Sequence, residues 1–152
     1  MDNLKKREKY AILMEKLKKA TNNEYYYEAI FLEYAILEDR MESLLKHANL
    51  KYKEKDGKAY KLMKKIDKIK SCKEFKDKYI EKHIPNELLD KIIEWKRNRD
   101  KLMHNCIELE YENNQIKDIA LYGECLIKRL NNKTKLVNNY LDKNLASINN
   151  KI

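Results

Sequence analysis

The strongest helix signal in this chain lies at residues 88–106, which read LLDKIIEWKRNRDKLMHNC. Alternate steps of four and three residues along it reach Leu88, Ile92, Trp95, Arg99, Leu102 and Cys106. Residues at this spacing share one face of an α-helix, and all of these except Arg99 have side chains suited to a core. A buried charge costs several kcal/mol unless it is paired, so the arginine on this face requires an explanation.

His104 is the second polar feature of the same segment, five residues after Arg99. Asp100 precedes it by four residues, a spacing from which a carboxylate is predicted to contact and orient the imidazole. Arg97 precedes it by seven residues and points in nearly the same direction. Imidazole titrates near neutral pH and suits acid–base catalysis, whereas guanidinium binds phosphate oxygens through a fork of N–H donors. The spacing therefore predicts a site for chemistry on a phosphate group.

Structural explanations of these residues remain open at the sequence level. Arg99 is also suited to an ion pair with a buried carboxylate, for example Glu33 or Glu38 on another predicted helix. A lone histidine such as His104 is more often structural than catalytic. Glu33 and Arg40 lie seven residues apart, and they either line the same cleft or form a solvated flank.

The whole chain is predicted to be helical. It has 152 residues but only two glycines and one proline, and apolar residues recur at helical spacing. Helices are expected at about 4–19, 24–47, 58–69, 87–106 and 115–141. Residues 48–57 are expected to form a loop, 107–114 an extended connection, and 72–84 are left undecided. This predicts an all-α, up-and-down bundle of four to five long helices, one domain over 1–142 with a loosely ordered tail at 143–152.

The helix predicted at 24–47 has two apolar faces, which predicts a central position. Tyr27, Phe31 and Tyr34 belong to one face, and Leu32 and Ile36 belong to the other. The run Tyr-Tyr-Tyr at 25–27 offers rings that stack on nucleobases, although tyrosines more often lie in a core or an interface.

Net charge and composition narrow the range of partners. The formal charge of +9 favours a polyanion such as RNA, although codon bias in an AT-rich genome also loads a protein with lysine and asparagine.

The three cysteines form no CxxC pair, and the three histidines have no metal-ligand spacing, so neither a metal nor a cofactor is predicted. No apolar run approaches the roughly 18 residues of a membrane span, and no secretory signal is evident. A cytoplasmic protein without a membrane partner is expected.

A family resemblance follows from these residues. The segment Arg99-Asp100-Lys101-Leu102-Met103-His104, followed by Asn105, resembles the Arg-x4-6-His motif of the HEPN superfamily. The motif also fits the chain in a second, longer registration (a second alignment of the motif with the sequence), from Arg97-Asn98 to His104. Arg99 is favoured as the arginine of the motif because it lies on the apolar stripe. The helix at 24–47, from Tyr27-Glu28-Ala29-Ile30 to Leu37-Glu38-Asp39-Arg40, also resembles the second helix of many such domains.

The resemblance implies a metal-independent endoribonuclease that cleaves single-stranded RNA by attack of a 2′-hydroxyl, leaving a 2′,3′-cyclic phosphate. It implies that His104 is the general base or acid, that Arg99 stabilises the pentavalent phosphate, and that Asp100 orients His104. Auxiliary positions are Arg97, Asn98, Asn105 and Glu33. The chain departs from the pattern at Asp100, where Asn is commoner, and at Cys106, where toxin members often have Tyr.

The resemblance also implies a homodimer whose two motifs form a composite active site. The expected setting is bacterial defence or a toxin–antitoxin pair, with an antitoxin or another partner chain. Two other hypotheses stay open: a HEPN-like domain without catalysis that binds a nucleotide or a protein, and a helical adaptor unrelated to this family. The RNA target and the activating signal are not specified by the sequence.

Overall fold

The computed structural model describes residues 3–106 and 113–150 of the chain, and it confirms the all-α prediction. The helices are α1 (Asn3–Asn22), α2 (Tyr26–His47), α3 (Leu62–Ser71), α4 (Lys78–His83), α5 (Asn86–Asn105) and α6 (Asn113–Asn149). A single 3-10 turn, Lys73–Phe75, lies between α3 and α4. The loop before α3 is closed by an isolated bridge between Lys53 and Ala59.

Helix α2 is central, as its two apolar faces predict. It packs against α6 along most of its length and is flanked by α1 and α3, while α6 also contacts α5 and α4. Its inward side chains Ile30, Ile36, Leu37, Met41 and Leu44 have no solvent exposure. Burying each such side chain stabilises the fold by about 1.5–3 kcal/mol relative to leaving it in water.

The two central helices, α2 and α6, run parallel to each other. Asn138 of α6 donates to the Ser43 hydroxyl of α2 at 3.0 Å, and further along both helices His47 contacts Asp142 at 2.7 Å. Helix α5 runs antiparallel to α6, because Glu87 near its start meets Arg129 at 3.1 Å and Trp95 reaches back to Ile119. With α1 antiparallel to α2, the four long helices alternate in direction along the chain, as in an up-and-down bundle.

The turn between α1 and α2 has the hydrogen bonding of a Schellman motif. Glu24 takes a left-handed conformation (φ 60°), and the N–H of Tyr25 donates to the Ala20 carbonyl at 2.9 Å. The N–H of Glu24 donates to the Thr21 carbonyl at 3.1 Å, which completes the motif. This turn fixes where the tyrosines at 25–27 enter α2.

Several predicted boundaries differ from the structure. Residues 58–61 precede the first turn of α3, and the undecided segment 72–84 contains the 3-10 turn and α4. Helix α6 continues to Asn149, so residues 143–149 are helical, whereas a loosely ordered tail is predicted there from the sequence. Proline and glycine, the residues that most strongly disfavour a helix, do not occur at 142–149, so the helix continues. Of the predicted extended connection, 107–112 lie outside the described residues and Asn113 and Asn114 already belong to α6.

The apolar face assigned to Tyr27 and Phe31 is only partly buried. Tyr27 is 45% exposed and Phe31 is 65% exposed. The reason is that the first turns of α2 turn another side to the core, on which Tyr26, Ala29 and Ile30 are buried. None of the described helices combines the length and the apolar character needed to cross a bilayer.

Candidate functional site on the fifth helix

Helix α5 carries the predicted apolar stripe, and its burial agrees with the pattern. Leu88, Ile92, Trp95 and Leu102 have no solvent exposure. Arg99 lies between the last two along the helix, and its side chain retains 22% exposure. The apolar stripe of α5 is therefore buried up to Trp95, partly exposed at Arg99, and buried again one turn later at Leu102.

Arg99 is held by contacts on two helices. Its guanidinium lies over the ring of Tyr34 on α2, 4.5 Å from the ring centroid, which is a cation–π geometry. Its Nη1 donates to Asp100 at 3.1 Å. The Nε of Arg99 is buried and forms no hydrogen bond with the described residues. The charge is thus stabilised by an aromatic face, one carboxylate and partial contact with water, and not by Glu33 or Glu38.

Asp100 is engaged by two cations. Lys96, four residues earlier on α5, donates to Oδ2 at 2.5 Å, and Arg99 donates to Oδ1. Burial alone would raise the pKa of Asp100, but the hydrogen bonds from Lys96 and Arg99 outweigh it and hold the pKa below its usual value. Asp100 is therefore a firmly ionised counter-ion in the fold.

The predicted contact between Asp100 and His104 is not formed. Both carboxylate oxygens of Asp100 are used by Lys96 and Arg99, and His104 is exposed, without a hydrogen bond or ion pair among the described residues. The reason is competition at equal spacing: Lys96 also lies four residues from Asp100, and its ammonium group occupies the carboxylate. An orienting role for Asp100 on His104 is not supported by this geometry.

The remaining predicted residues lie at the surface of the same half of α5. Arg97 and Asn98 are exposed, and Asn105 is half-buried in the last turn. On a helix with about 100° per residue, Arg97 and His104 point within about 20° of each other, whereas Arg99 and His104 differ by about 140°. A single chain therefore places the favoured arginine and the histidine on different faces of α5.

Glu33 on α2 is fully buried and lies apart from Arg99's ion pair. Burial, together with the nearby carboxylate of Glu124, raises its pKa to about 9, and the backbone of Glu124 opposes this shift. Neither carboxyl oxygen forms a hydrogen bond of good geometry with the described residues. Glu33 is consequently uncharged at neutral pH, and the predictions that it lines an open cleft or forms a solvated flank are both wrong.

Gly123 of α6 provides the space for Glu33. A Cβ atom at this position would lie 2.1 Å from Glu33 Oε2 and 2.7 Å from Trp95 Nε1, both too close for any side chain. Trp95 Nε1 meanwhile donates to the Ile119 carbonyl at 3.0 Å. The three helices α2, α5 and α6 therefore meet at this point, one turn of α5 before Arg99.

Sequence reasoning did not identify Tyr34, Lys96 or Gly123 as parts of this region. Lys96 and Asp100 have the same i,i+4 spacing as Asp100 and His104, so the pair was visible in the sequence. The contact of Tyr34 with Arg99 and the role of Gly123 join different helices, and no local spacing reveals them.

The pockets found in the described chain lie elsewhere. A hollow of about 390 Å³ opens where α2 and α6 begin, and a cavity of about 20 Å³ lies among α2, α3, α4 and α5. Arg99 and His104 line neither. Within residues 3–106 and 113–150, no three His, Cys, Asp or Glu side chains are grouped so that they could hold a metal ion.

No protein-family model, no curated protein and no solved structure matches this chain. The function is therefore inferred from the residues of the site and from their geometry.

Proposed function

We propose that this protein is a metal-independent endoribonuclease of the HEPN type, acting on single-stranded RNA. One observation carries the proposal: α5 presents a partly exposed guanidinium, fixed by Tyr34 and Asp100, and an exposed imidazole five residues later. These are the groups that cleavage by an internal 2′-hydroxyl needs, and such cleavage requires no metal. The net charge of +9 supports a polyanionic substrate.

In the proposed reaction, His104 removes the proton from the 2′-hydroxyl, whose oxygen then bonds to the adjacent phosphorus. The bond from phosphorus to the 5′-oxygen breaks, and that oxygen takes up a proton from an imidazolium. The products are a 2′,3′-cyclic phosphate and a 5′-hydroxyl. Arg99 stabilises the charge of the pentavalent phosphate, and Asp100 holds the arginine in place rather than orienting His104.

The proposed enzyme is a homodimer. In a single chain Arg99 and His104 point in different directions, and neither lines the hollow or the cavity described above. A second copy placed against the C-terminal half of α5 would bring its own motif to the site and close a groove around the phosphate. Sedimentation equilibrium tests this: a monomer at the concentrations where RNA is cleaved would contradict the composite site.

The principal test is His104→Ala, assayed with a labelled single-stranded RNA in the presence of EDTA. Loss of a general acid or base typically lowers the rate by a factor of about 10²–10⁴. The thermal melting temperature should be unchanged, because His104 is exposed and has no partner among the described residues. His83→Ala is the matched control, since His83 lies on α4 and should leave cleavage intact. Equal cleavage by the wild type and His104→Ala would reject the proposal.

The two registrations of the motif are separated by Arg97→Ala and Arg99→Ala in the same assay. We expect Arg99→Ala to lose activity, because Arg99 is the fixed guanidinium. Arg97 is exposed and shares the direction of His104, so loss of activity only in Arg97→Ala would show that the longer registration is the functional one.

A second candidate function is a HEPN-like domain without catalysis that binds a nucleotide or a partner protein. The contacts that favour it are those of Asp100, which serve the fold and not His104. Binding of RNA without cleavage by the wild-type protein would support this alternative. A setting in bacterial defence or a toxin–antitoxin pair, with an antitoxin chain, belongs to the first proposal through the family resemblance alone.

A further inference from the structure

An aromatic row follows one face of α2 from its first turn toward Arg99. Its members, Tyr27, Phe31 and Tyr34, are separated by four and three residues, so they lie within about 60° of one another around the helix. Tyr27 and Phe31 are 45% and 65% exposed. Tyr34 is half-buried beneath the Arg99 guanidinium. A single exposed apolar side chain is ordinary, but two neighbouring exposed rings in line with a third that holds a guanidinium form a contact surface.

The row connects two other features. At one end Tyr27 lines the hollow of about 390 Å³, together with Tyr25, Tyr26, Glu24 and Glu28. At the other end the Tyr34 ring carries the guanidinium of Arg99. The distance along the helix from Tyr27 to Tyr34 is about 10 Å, at 1.5 Å per residue. This length matches a short run of stacked nucleotides that ends at a phosphate-binding arginine.

We propose that the aromatic row of Tyr27, Phe31 and Tyr34 is a base-stacking platform for single-stranded RNA, and that the adjoining hollow takes a base carrying an amino group. This inference rests on the proposed function, because it leads the RNA strand to Arg99. Aromatic rings stack on any base, and Arg99, whose guanidinium lies over Tyr34, supplies positive charge for the backbone at the end of the row.

The two carboxylates at the hollow define which base it prefers. Glu28 is exposed, and Glu24 accepts a long hydrogen bond of 3.4 Å from the Tyr26 hydroxyl. Carboxylates repel phosphate but accept hydrogen bonds from the N4 amino group of cytosine. Uracil has a carbonyl oxygen at the same position. The hollow should therefore hold cytosine in preference to uracil.

The test measures binding of labelled C10 and U10 oligonucleotides by fluorescence anisotropy, using His104→Ala to prevent cleavage. Phe31→Ala should weaken binding of C10 at least fivefold, as expected when one stacking contact is lost, while Phe31→Tyr should retain it. Ile12→Ala is the matched control, because Ile12 is an exposed apolar side chain on α1, 51% exposed, and should have no effect. Unchanged affinity in Phe31→Ala would overturn the proposal.

Base preference and oligomeric state complete the test. C10 should bind at least fivefold more tightly than U10, and Glu28→Gln should reduce that ratio; an equal affinity for both oligonucleotides would reject the role of the hollow. A change of sedimentation in Phe31→Ala would identify the row as a contact between two copies of the chain and would also overturn the proposal. Failure of the ribonuclease proposal is recognised separately, since it concerns cleavage by the wild type and not binding.

Discussion

At the scale of single residues, burial affects Arg99 and Glu33 differently, although the sequence suggested these two residues as an ion pair. Arg99 keeps its charge because Tyr34, Asp100 and residual solvent stabilise it. Glu33 instead loses its charge, since its carboxyl group is buried without a cation or a well-placed hydrogen bond among the described residues. Protonation is the less costly solution where no counter-ion is available.

This difference predicts a pH dependence of stability. The pKa of Glu33 is about 9 in the folded chain and ordinary in the unfolded chain, so between about pH 5 and pH 9 unfolding releases a proton. Stability due to this group is complete below its unfolded pKa and decreases as pH rises, by about 1.4 kcal/mol per pH unit. Glu33→Gln, which is neutral at every pH, should lack this slope.

Urea denaturation of the wild type and Glu33→Gln at several pH values measures the difference. Above about pH 5 the free energy of unfolding of the wild type should fall relative to that of Glu33→Gln, because only the wild type releases the Glu33 proton on unfolding. If the free energies of unfolding of the two proteins changed with pH in parallel, this would show that Glu33 ionises freely in the folded protein.

At the scale of elements, α6 depends on a glycine in a position where a helix normally favours alanine. Replacing a helical glycine with alanine usually stabilises a protein by about 0.5–1 kcal/mol. At Gly123 the added Cβ would collide with Glu33 and Trp95, which α2 and α5 bring to the same point. The packing of three helices therefore reverses the sign that local propensity predicts.

Gly123→Ala should lower the free energy of unfolding by about 1–3 kcal/mol, the usual cost of overpacking a core. Denaturant titration measures this loss. The double variant Glu33→Ala with Gly123→Ala is the control: because the nearer colliding group is gone, its loss should be smaller than the sum of the two single losses. A stabilised Gly123→Ala would mean that the three helices do not meet as described.

At the scale of the whole molecule, the core is built around two parallel helices. Contacts between Ser43 and Asn138 and between His47 and Asp142 keep α2 and α6 in register to the end of α2. Beyond that level α6 has no helix beside it in the described chain: Leu141 is 5% exposed, whereas Ile148 is 57% exposed. The last turns of α6 are helical without contributing to the core.

Truncated chains test whether the last turns of α6 contribute to stability. A chain ending at Leu145 should melt within a few degrees of the full chain, since the side chains removed among the described residues are exposed. A chain ending at Tyr140 also loses Leu141, whose burial stabilises the fold by about 1.5–3 kcal/mol, and should be measurably less stable. Strong destabilisation by the first truncation would show that the end of α6 packs against something that the contacts above do not include.

The amino-acid sequence by itself determined the helical class, the long helices and the buried stripe of α5. These follow from spacing and propensity within one segment, and such local rules hold wherever a helix finds an apolar surface to cover. It also placed Arg99 at the edge of the core and His104 in the same helix. Local spacing did not choose between Lys96 and His104 as the partner of Asp100, because both lie four residues from it.

Only the tertiary structure decided the contacts between helices. It placed Tyr34 under Arg99, buried Glu33 beside Gly123 and Trp95, and left Tyr27 and Phe31 in solvent. The parallel arrangement of α2 and α6 likewise comes from packing of residues 95 positions apart in the chain. These features depend on which faces meet once the apolar surfaces are covered, and many pairings of the same helices satisfy the same local patterns.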